Sequence, residues 1–523
     1  MAEKTYPMSA AVLAAYEAGE EDEALEPITR VDANGNPIGR IQDGDYVIFY
    51  DIRGEREIEL TSAFVSRDFP HFARKNMEVH FATMIEYAKE LPVKVAFPPL
   101  DEVHNTLSEV VSKHNLKQAK LTESEKSIHV SYFLNGKLEE VLPGEDRITI
   151  PSPEVEDYAQ IPEMHASQVA DAVIRALENP EYSLIVVNFV NVDVVGHIGD
   201  KQTAIKAVQE VDRCVGKVVT AAQKNGVTPV VTADHGTVEK WLYPDGSVDT
   251  GHSDSLVPFI LADPELRDTT LRKGHSLTDV APTILSLMNL PVPPEMTGHC
   301  LIPETVESKR RRVLLIIADG WGLRDEAYGN IILEADTPHM DGLLKTWPHT
   351  RLQASGEAVG MPKGTVGNSE TGHSHIGAGR RILADRVRIN ESIEDGTFFE
   401  NEAFLWAMRG AKKDDTRLHL LGIVSFYSSH GSVAHLNALL EMAQREGVKD
   451  VYHHAMLGRR GEHLGSGAHY IEEVEREMER LGTGKQVSII GRFWSLDREY
   501  NWDRIEKTYR WLVEGSGTFI TAP

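Results

Sequence analysis

At 523 residues, the chain is too long for one ordinary core, so two or more domains are expected. Its composition, 41% hydrophobic and 26% charged, is that of a soluble globular protein. The net charge of −26 excludes the basic footprint of a general nucleic-acid binder, and any anionic substrate then needs positive charge concentrated locally.

The first residues, MAEKTYPMSAAVLAAYEAGEEDE, lack a basic stretch followed by an apolar one, so no secretory signal is predicted. The acidic run at 17–26 reads as a solvated surface. In YDIRGER, Arg53 and Arg56 offer planar forks that pair with phosphate or carboxylate; ordinary surface pairing with Glu55 and Glu57 is the alternative.

Three β-rich runs then share one design, an apolar strand ending in acid or imidazole. YSLIVVNFVNVDVVGH ends in Asp193 and His197, VTPVVTADHG in Asp234 and His235, and RVLLIIADGWG in Asp319. The longest apolar stretch, 183–192, is far short of the ~18–20 residues a membrane span needs. Continuous apolar runs suit a parallel sheet covered on both faces, and the amphipathic segment 200–226 supplies a covering helix. Ligands in such sheets bind beyond the carboxyl ends of the strands, so the clusters are expected to converge. Carboxylate oxygen and imidazole nitrogen are ligands for zinc- or manganese-type ions, and His252 is a further candidate. Singly, each acid reads as a cap or turn residue; together they favour a metal site. Asp234 and His235, being adjacent, serve one ion or bridge toward two.

GTVGNSETGHSHIGAGRR, at 364–381, sets Ser369 in a glycine-rich turn before an expected helix. In isolation the serine reads as an N-cap. Beside two metal ions it reads as a nucleophile, because a hydroxyl needs a base or a metal near neutral pH. Further on, Arg492 and Arg498 in IIGRFWSLDR repeat the fork chemistry. Cys214 and Cys300 cannot form a disulfide framework; both are expected to be structural, in a cytoplasmic protein. No internal repeat is visible.

The stretches IIADGWG, VGNSETGHSHIGAGR, YDIRGER, LTESEKSIHV, NVDVVGH, TADHG, GHSDSLVPFI and IIGRFWSLDREYNWDR together resemble the cofactor-independent phosphoglycerate mutases of the alkaline phosphatase superfamily. The resemblance implies an α/β fold: an alkaline-phosphatase-like doubly wound sheet domain plus a second α/β substrate-binding transferase domain. It implies two divalent ions, manganese first, with zinc or cobalt as alternatives. Asp193, His197 and His252 would hold one ion; Asp319, Ser369, Asp234 and His235 would hold the other. Lys126 would steady a phosphoryl group passing through phosphoserine at Ser369. His430 would be catalytic, and Arg53, Arg56, Arg460, Arg492 and Arg498 would grip the substrate's anions. The implied partner is a small phosphorylated or phosphonylated anion, with no nucleic acid or membrane, and a monomer is expected.

In the family, the strand matching RVLLIIADGWG lies at the amino terminus and the motif matching MTGHCLI near the carboxyl terminus. Here MTGHCLI, at 296–302, runs into that strand through PETVESKRRR, which implies a circular permutation. Residues 101–384 would then form the metal-binding domain as one segment, with 1–100 and 385–523 forming the other. Two family motifs are altered. S-D-G-G-V-H-S-H appears as Ser425 to Ser432, with Phe426 in place of an aspartate. L-D-G-R-D-T-P-P appears as Leu457 to Leu464, with Gly461 in place of an aspartate that helps move protons on and off the glycerate hydroxyls. A mutase needs such an acid–base group. The readings left open are a divergent mutase, a phosphonate-group transferase on a glycerate-like acid, a metal-dependent phosphomonoesterase and a non-catalytic sensor.

Overall fold

The computed structural model describes residues 6–521, apart from 76, 101, 156, 304–308, 427, 429 and 459–464. The chain divides into two compact units, 100–384 and the pair 1–99 with 385–523.

Unit 100–384 is built on an eight-stranded mixed sheet. Five of its strands run parallel side by side, in the order Val227–Thr232, Arg312–Ala318, Tyr182–Phe189, Lys117–Glu123 and Glu145–Ile150. Arg312–Ala318, the strand after the charged connector, lies inside this set, and six of its seven residues are buried. A strand buried along its length is covered on both faces, which is why its sequence is a continuous apolar run. Val257–Leu261 and His349–Gln353 add antiparallel pairings beyond Val227–Thr232. The 200–226 segment forms the helix Lys201–Lys224, started by the Asp200 side chain accepting the Thr203 N–H.

The other unit also carries an eight-stranded sheet. Val451–Leu457, Leu418–Ile423, Tyr46–Phe49, His80–Ile85 and Lys94–Phe97 run parallel in that order, with Lys485–Gly491 parallel to the first. Strands from both ends of the chain thus share one sheet, and the apolar core draws on 8–87 and 389–513 together.

One expectation needs correction. The apolar run at 183–192 does not continue as strand to Asp193 and His197. The strand stops at Phe189, and Asn191–Gly196 forms a short helix. Asp193 and His197 therefore meet as an i, i+4 pair on one helical face, not as consecutive strand-end residues. Cys214 and Cys300 are both free thiols. No helix among the described residues is long and apolar enough to cross a membrane.

Candidate metal centre

Four neighbouring parallel strands deliver side chains at one sheet edge. Asp234 and His235 follow Thr232, Asp319 follows Ala318, Asp193 follows Phe189 through the short helix, and Lys126 follows Glu123. The turn after Ala318 relies on Gly320, whose φ is +79°. A Cβ there would come within 3.0 Å of the Asp193 backbone, and the glycine N–H donates to Asp234 Oδ1 at 3.2 Å.

Ser369 is the first residue of the helix Ser369–Ala378. The cap is Asn368, whose side chain accepts the Thr371 N–H, so Ser369 is free of that role. Its Oγ lies 2.5 Å from Lys126 Nζ, 3.0 Å from His235 Nε2 and 3.3 Å from Asp319 Oδ1. Lys126 also donates to Asp193 Oδ2 at 2.6 Å and Asp319 Oδ1 at 3.0 Å. Burial alone would lower this ammonium's pKa, but Asp319, Asp193 and Asp234 carry it upward, so it is a fixed charge.

The helix approaches this closely because residue 372 is glycine. A Cβ at Gly372 would stand 2.5 Å from the Asp234 carbonyl oxygen. Gly372→Ala is expected to destabilise the unit by ~1–3 kcal/mol through overpacking, read as a lower denaturant midpoint at unchanged slope.

Three imidazoles point the same way. His197 Nδ1 donates to the Thr250 carbonyl at 2.6 Å, His252 Nδ1 to the Gly367 carbonyl at 2.9 Å, and His235 Nδ1 to the Gly236 carbonyl at 3.2 Å. A carbonyl only accepts, so each Nδ1 carries its proton and each Nε2 is left to face the cluster. The Nε2 atoms of His252, His197 and His235 lie 3.1, 3.2 and 3.7 Å from Asp193 Oδ1. That buried oxygen makes no hydrogen bond among the described residues, and neither does Asp234 Oδ2.

These atoms fit a divalent cation. Asp193, His235 and His252 form one set of possible ligands, and Asp234, His235 and Asp319 a second, each with its atoms within 4.8 Å of one another. His197 extends the first set and Ser369 the second. His235 belongs to both. Three buried carboxylates face the single fixed charge of Lys126, so the site calls for more positive charge. Burial alone would lower His235, yet Asp234, Asp319 and Asp193 push it up to about 10. A divalent ion answers the same demand.

Two residues of this centre escaped the sequence reading. His373 donates Nδ1–H to the Ser369 carbonyl at 2.9 Å, lies 3.2 Å from Asp234 Oδ2, and accepts from Asn188 at Nε2, 3.0 Å away. Asn188 also donates to Asp319 Oδ2 at 2.7 Å, fixing that carboxylate from its far side. The i, i+4 spacing of Ser369 and His373 was a usable signal, since it sets both on one helical face.

The remaining candidates lie in the other unit. Arg53 and Arg498 both pair with Glu55, so the surface-pairing alternative describes part of what they do. Arg56 donates to the Leu496 carbonyl at 3.1 Å, and Arg492 is buried with Glu23 Oε1 at 3.6 Å. His430 is buried, its Nδ1 2.8 Å from Glu57 Oε1. Phe426 is 38% exposed and packs edge-on to Tyr470, ring centres 5.0 Å apart. Arg460 and Gly461 lie outside the described residues.

Burial pushes the Glu57 carboxyl from 4.5 up to about 8. A raised folded-state pKa means stability that is full below the unfolded value and lost as pH climbs through the folded one. The thermal midpoint of this unit is therefore expected to fall between about pH 4.5 and 8. Glu57→Gln should flatten that slope in a calorimetric pH series.

Comparison with known proteins matches two family models to the chain, the first of them running across the boundary between the units. A model described as the Metalloenzyme superfamily matches residues 28–292, and one described as the BPG-independent PGAM N-terminus matches 389–522. A 2,3-bisphosphoglycerate-independent phosphoglycerate mutase of Moorella thermoacetica is 45% identical over 298 residues, 56% of this chain and 57% of the relative. One of Methanococcoides burtonii is 44% identical over 300 residues, again 56% and 57%. The chain thus spans a little over half the length of the curated relatives it matches. A solved Leishmania mexicana phosphoglycerate mutase, crystallised at low cobalt concentration, is 29% identical over 52% of this chain and 53% of its own, with a TM-score of 0.38. With one family model spanning just over half of its residues, the chain belongs to the Metalloenzyme superfamily.

Proposed function

We propose that this chain is a two-metal phosphotransferase that passes a phosphoryl group through Ser369, acting on phosphoglycerate or a close analogue. The observation that carries the reading is the position of Ser369 Oγ at the head of a helix, 2.5 Å from the Lys126 ammonium and 3.0 Å from His235 Nε2. Its relatives' names supply the substrate class.

Two divalent ions, manganese first and zinc or cobalt as alternatives, would be held by Asp193, His197 and His252 and by Asp319, Ser369, Asp234 and His235. When bound, they activate the serine hydroxyl and offset the charge of a phosphoryl group. The Ser369 hydroxyl would give its proton to solvent and Oγ would attack phosphorus as the bond from phosphorus to the substrate oxygen breaks, giving phosphoserine and a substrate oxygen that leaves with a proton. Lys126, held charged by its carboxylates, would stabilise Ser369 Oγ as it loses its proton and then steady the negative oxygens of the transferring phosphoryl group. The amino end of the helix adds partial positive charge on the same side. Arg53, Arg56, Arg492 and Arg498, with Arg460, would hold the carboxylate and phosphate of the substrate.

A phosphonate-group transfer to or from a glycerate-like acid is the second reading. It is favoured by Phe426, an apolar ring where the resemblance expects an acid. We also read the chain as circularly permuted. An alignment that keeps chain order can follow only one side of such a join, which accords with matches to just over half of each relative.

Manganese-loaded protein incubated with 3-phosphoglycerate, quenched with chelator and followed by phosphorus NMR, tests the proposal. The 2-isomer supports the mutase, and turnover of a phosphonate donor alone supports the second reading. Inorganic phosphate alone would make the protein a hydrolase, and no turnover of any phosphorus substrate would defeat the transferase reading.

A further inference from the structure

Two acids beside His430 have no part in the chemistry above. Asp51 and Glu57 follow the strand Tyr46–Phe49, and His430 follows the parallel neighbour Leu418–Ile423. Asp51 and Glu57 are 0% exposed and His430 3%. Backbone contacts fix the three together. Ile52 N–H donates to the His430 carbonyl at 2.6 Å, and Ile423 N–H donates to Asp51 Oδ1 at 2.8 Å. Glu57 Oε1 meets His430 Nδ1 at 2.8 Å, while its Oε2 accepts the Arg56 N–H at 3.1 Å. Asp51 Oδ2 is buried with no hydrogen bond among the described residues. A Cβ on Gly422 would stand 2.7 Å from Asp51 Oδ1, so the acid uses space that any other residue would fill.

Such a group can hold a cation or a proton, and its surroundings favour the proton. Arg492, Arg53 and Arg56 all bear on His430 and oppose a further cation. Burial, and the charge of each acid on its neighbour, make joint ionisation of Asp51 and Glu57 costly. Burial lifts Asp51 well above the carboxylate range, with the Glu57 charge adding to it, and lifts Glu57 to about 8. Burial also pulls His430 down to about 4, against the attraction of Asp51. Near neutral pH the cluster therefore carries an acid proton beside a neutral imidazole. Tyr50 and Tyr87 complete its ionisable surroundings. Tyr50 hydrogen-bonds His453 at 2.9 Å, and Tyr87 donates to the carbonyls of Phe49 and Asp51.

We propose that Glu57, backed by Asp51, positions His430 and stores the proton that it exchanges with a substrate hydroxyl, the task the resemblance gives to the aspartate replaced by Gly461. The proposal rests on the transferase reading. The competent state is the one in which Asp51 holds a proton and Glu57 has given its own up, a fraction that grows as pH climbs toward about 8, so that Glu57 accepts the His430 Nδ1–H. The hydroxyl O–H bond breaks and its proton bonds to His430 Nε2. The Nδ1–H bond breaks in concert and that proton bonds to Glu57 Oε1. The imidazole stays neutral, both acids end protonated, and the freed electron pair remains on the substrate oxygen for attack on phosphorus. Run backward, the same relay protonates a departing oxygen.

The test uses the full chain loaded with manganese. Glu57→Gln is expected to lower kcat ~10²–10⁴-fold, with KM moved less than about threefold and the acid-side limb of the pH–rate profile displaced. Glu57→Asp should recover part of the rate, and circular dichroism checks that both variants fold. Wild-type kcat and pH profile in Glu57→Gln would overturn the proposal, as would loss of a bound metal equivalent, which would make the cluster a cation site. Nitrogen-15 NMR of His430 reads the pair without turnover. The expected signature is a neutral ring down to about pH 5 with Nδ1 hydrogen-bonded to Glu57, altered in Glu57→Gln. An identical ring state in both proteins would overturn the proposal. Should wild type transfer no phosphorus group at all, the proposed function fails while this spectrum still decides the pairing.

Discussion

Ser369→Ala is expected to lower phosphoryl transfer by at least ~10³-fold, the scale seen when a covalent nucleophile is removed. The side chain is small, and its Oγ is the only atom lost. The helix that carries it keeps its start, because Asn368 makes the cap, so the fold should survive with little change in thermal midpoint. The loss should appear in kcat. KM should move little, since the proposed anion grip lies in the arginines. A mass shift of one phosphoryl group, trapped by acid quench on wild type and missing from the variant, would tie the loss to phosphoserine. Retention of full activity by the alanine variant would defeat the nucleophile assignment, whatever reaction the protein catalyses. Lys126→Met would separate charge from nucleophilicity, because it keeps the serine and removes the ammonium 2.5 Å from it.

The sequence made the sheet of unit 100–384 visible because strands buried on both faces must be apolar throughout, as Leu314 to Ala318 and Leu184 to Val187 are. It made the acids at the strand ends visible for a related reason, since a charged residue closing an apolar run needs an explanation. It could not show that Asp193 and His197 leave the strand and turn into a helix. Val190, Val192, Val194 and Val195 are β-branched, and local propensity reads straight past the boundary. Asn188 was hidden by lying inside a strand, where a polar residue reads as an interruption and not as a support for Asp319. The Asp51–Glu57–His430 group was hidden more deeply. Glu57 stands beside Arg56 in the chain and reads as its surface partner, yet it is fully buried and faces an imidazole 373 positions away. Only the pairing of Tyr46–Phe49 with Leu418–Ile423 brings them together.

That difference bears on how this protein departs from its relatives. The centre around Ser369 keeps every side chain that the resemblance assigns to it, and its orphaned oxygens and aligned imidazoles form one consistent set. In the other unit, Phe426 stands where the resemblance expects an acid, while Asp51 and Glu57, which follow the strand Tyr46–Phe49, are buried close to the His430 imidazole. A proton carrier that changes position while the nucleophile stays fixed would alter which hydroxyl is handled before it alters the phosphorus chemistry. The substrate's acceptor end is therefore where this chain's specificity should differ from theirs.

The metal centre gives the second large effect. Asp193→Asn removes one negative charge and replaces one of the two carboxylate oxygens by an amide nitrogen, which cannot ligate a metal, without changing side-chain volume. Loaded with manganese, wild type is expected to hold two ions per chain and the variant about one by elemental analysis, with activity down ~10³-fold. Stability supplies an independent readout. An ion present at about 100 times its Kd adds ~2.7 kcal/mol to the native state. Two such sites should raise the thermal midpoint of wild type over its chelated form about twice as much as the single site left in the variant. Without metal the variant loses one partner of Lys126, which keeps Asp319 at 3.0 Å, so the chelated proteins should differ less than the loaded ones. Equal metal content in the two proteins would remove Asp193 from the ligand set. A variant that still binds two ions and loses activity would instead assign Asp193 to holding Lys126 against Ser369.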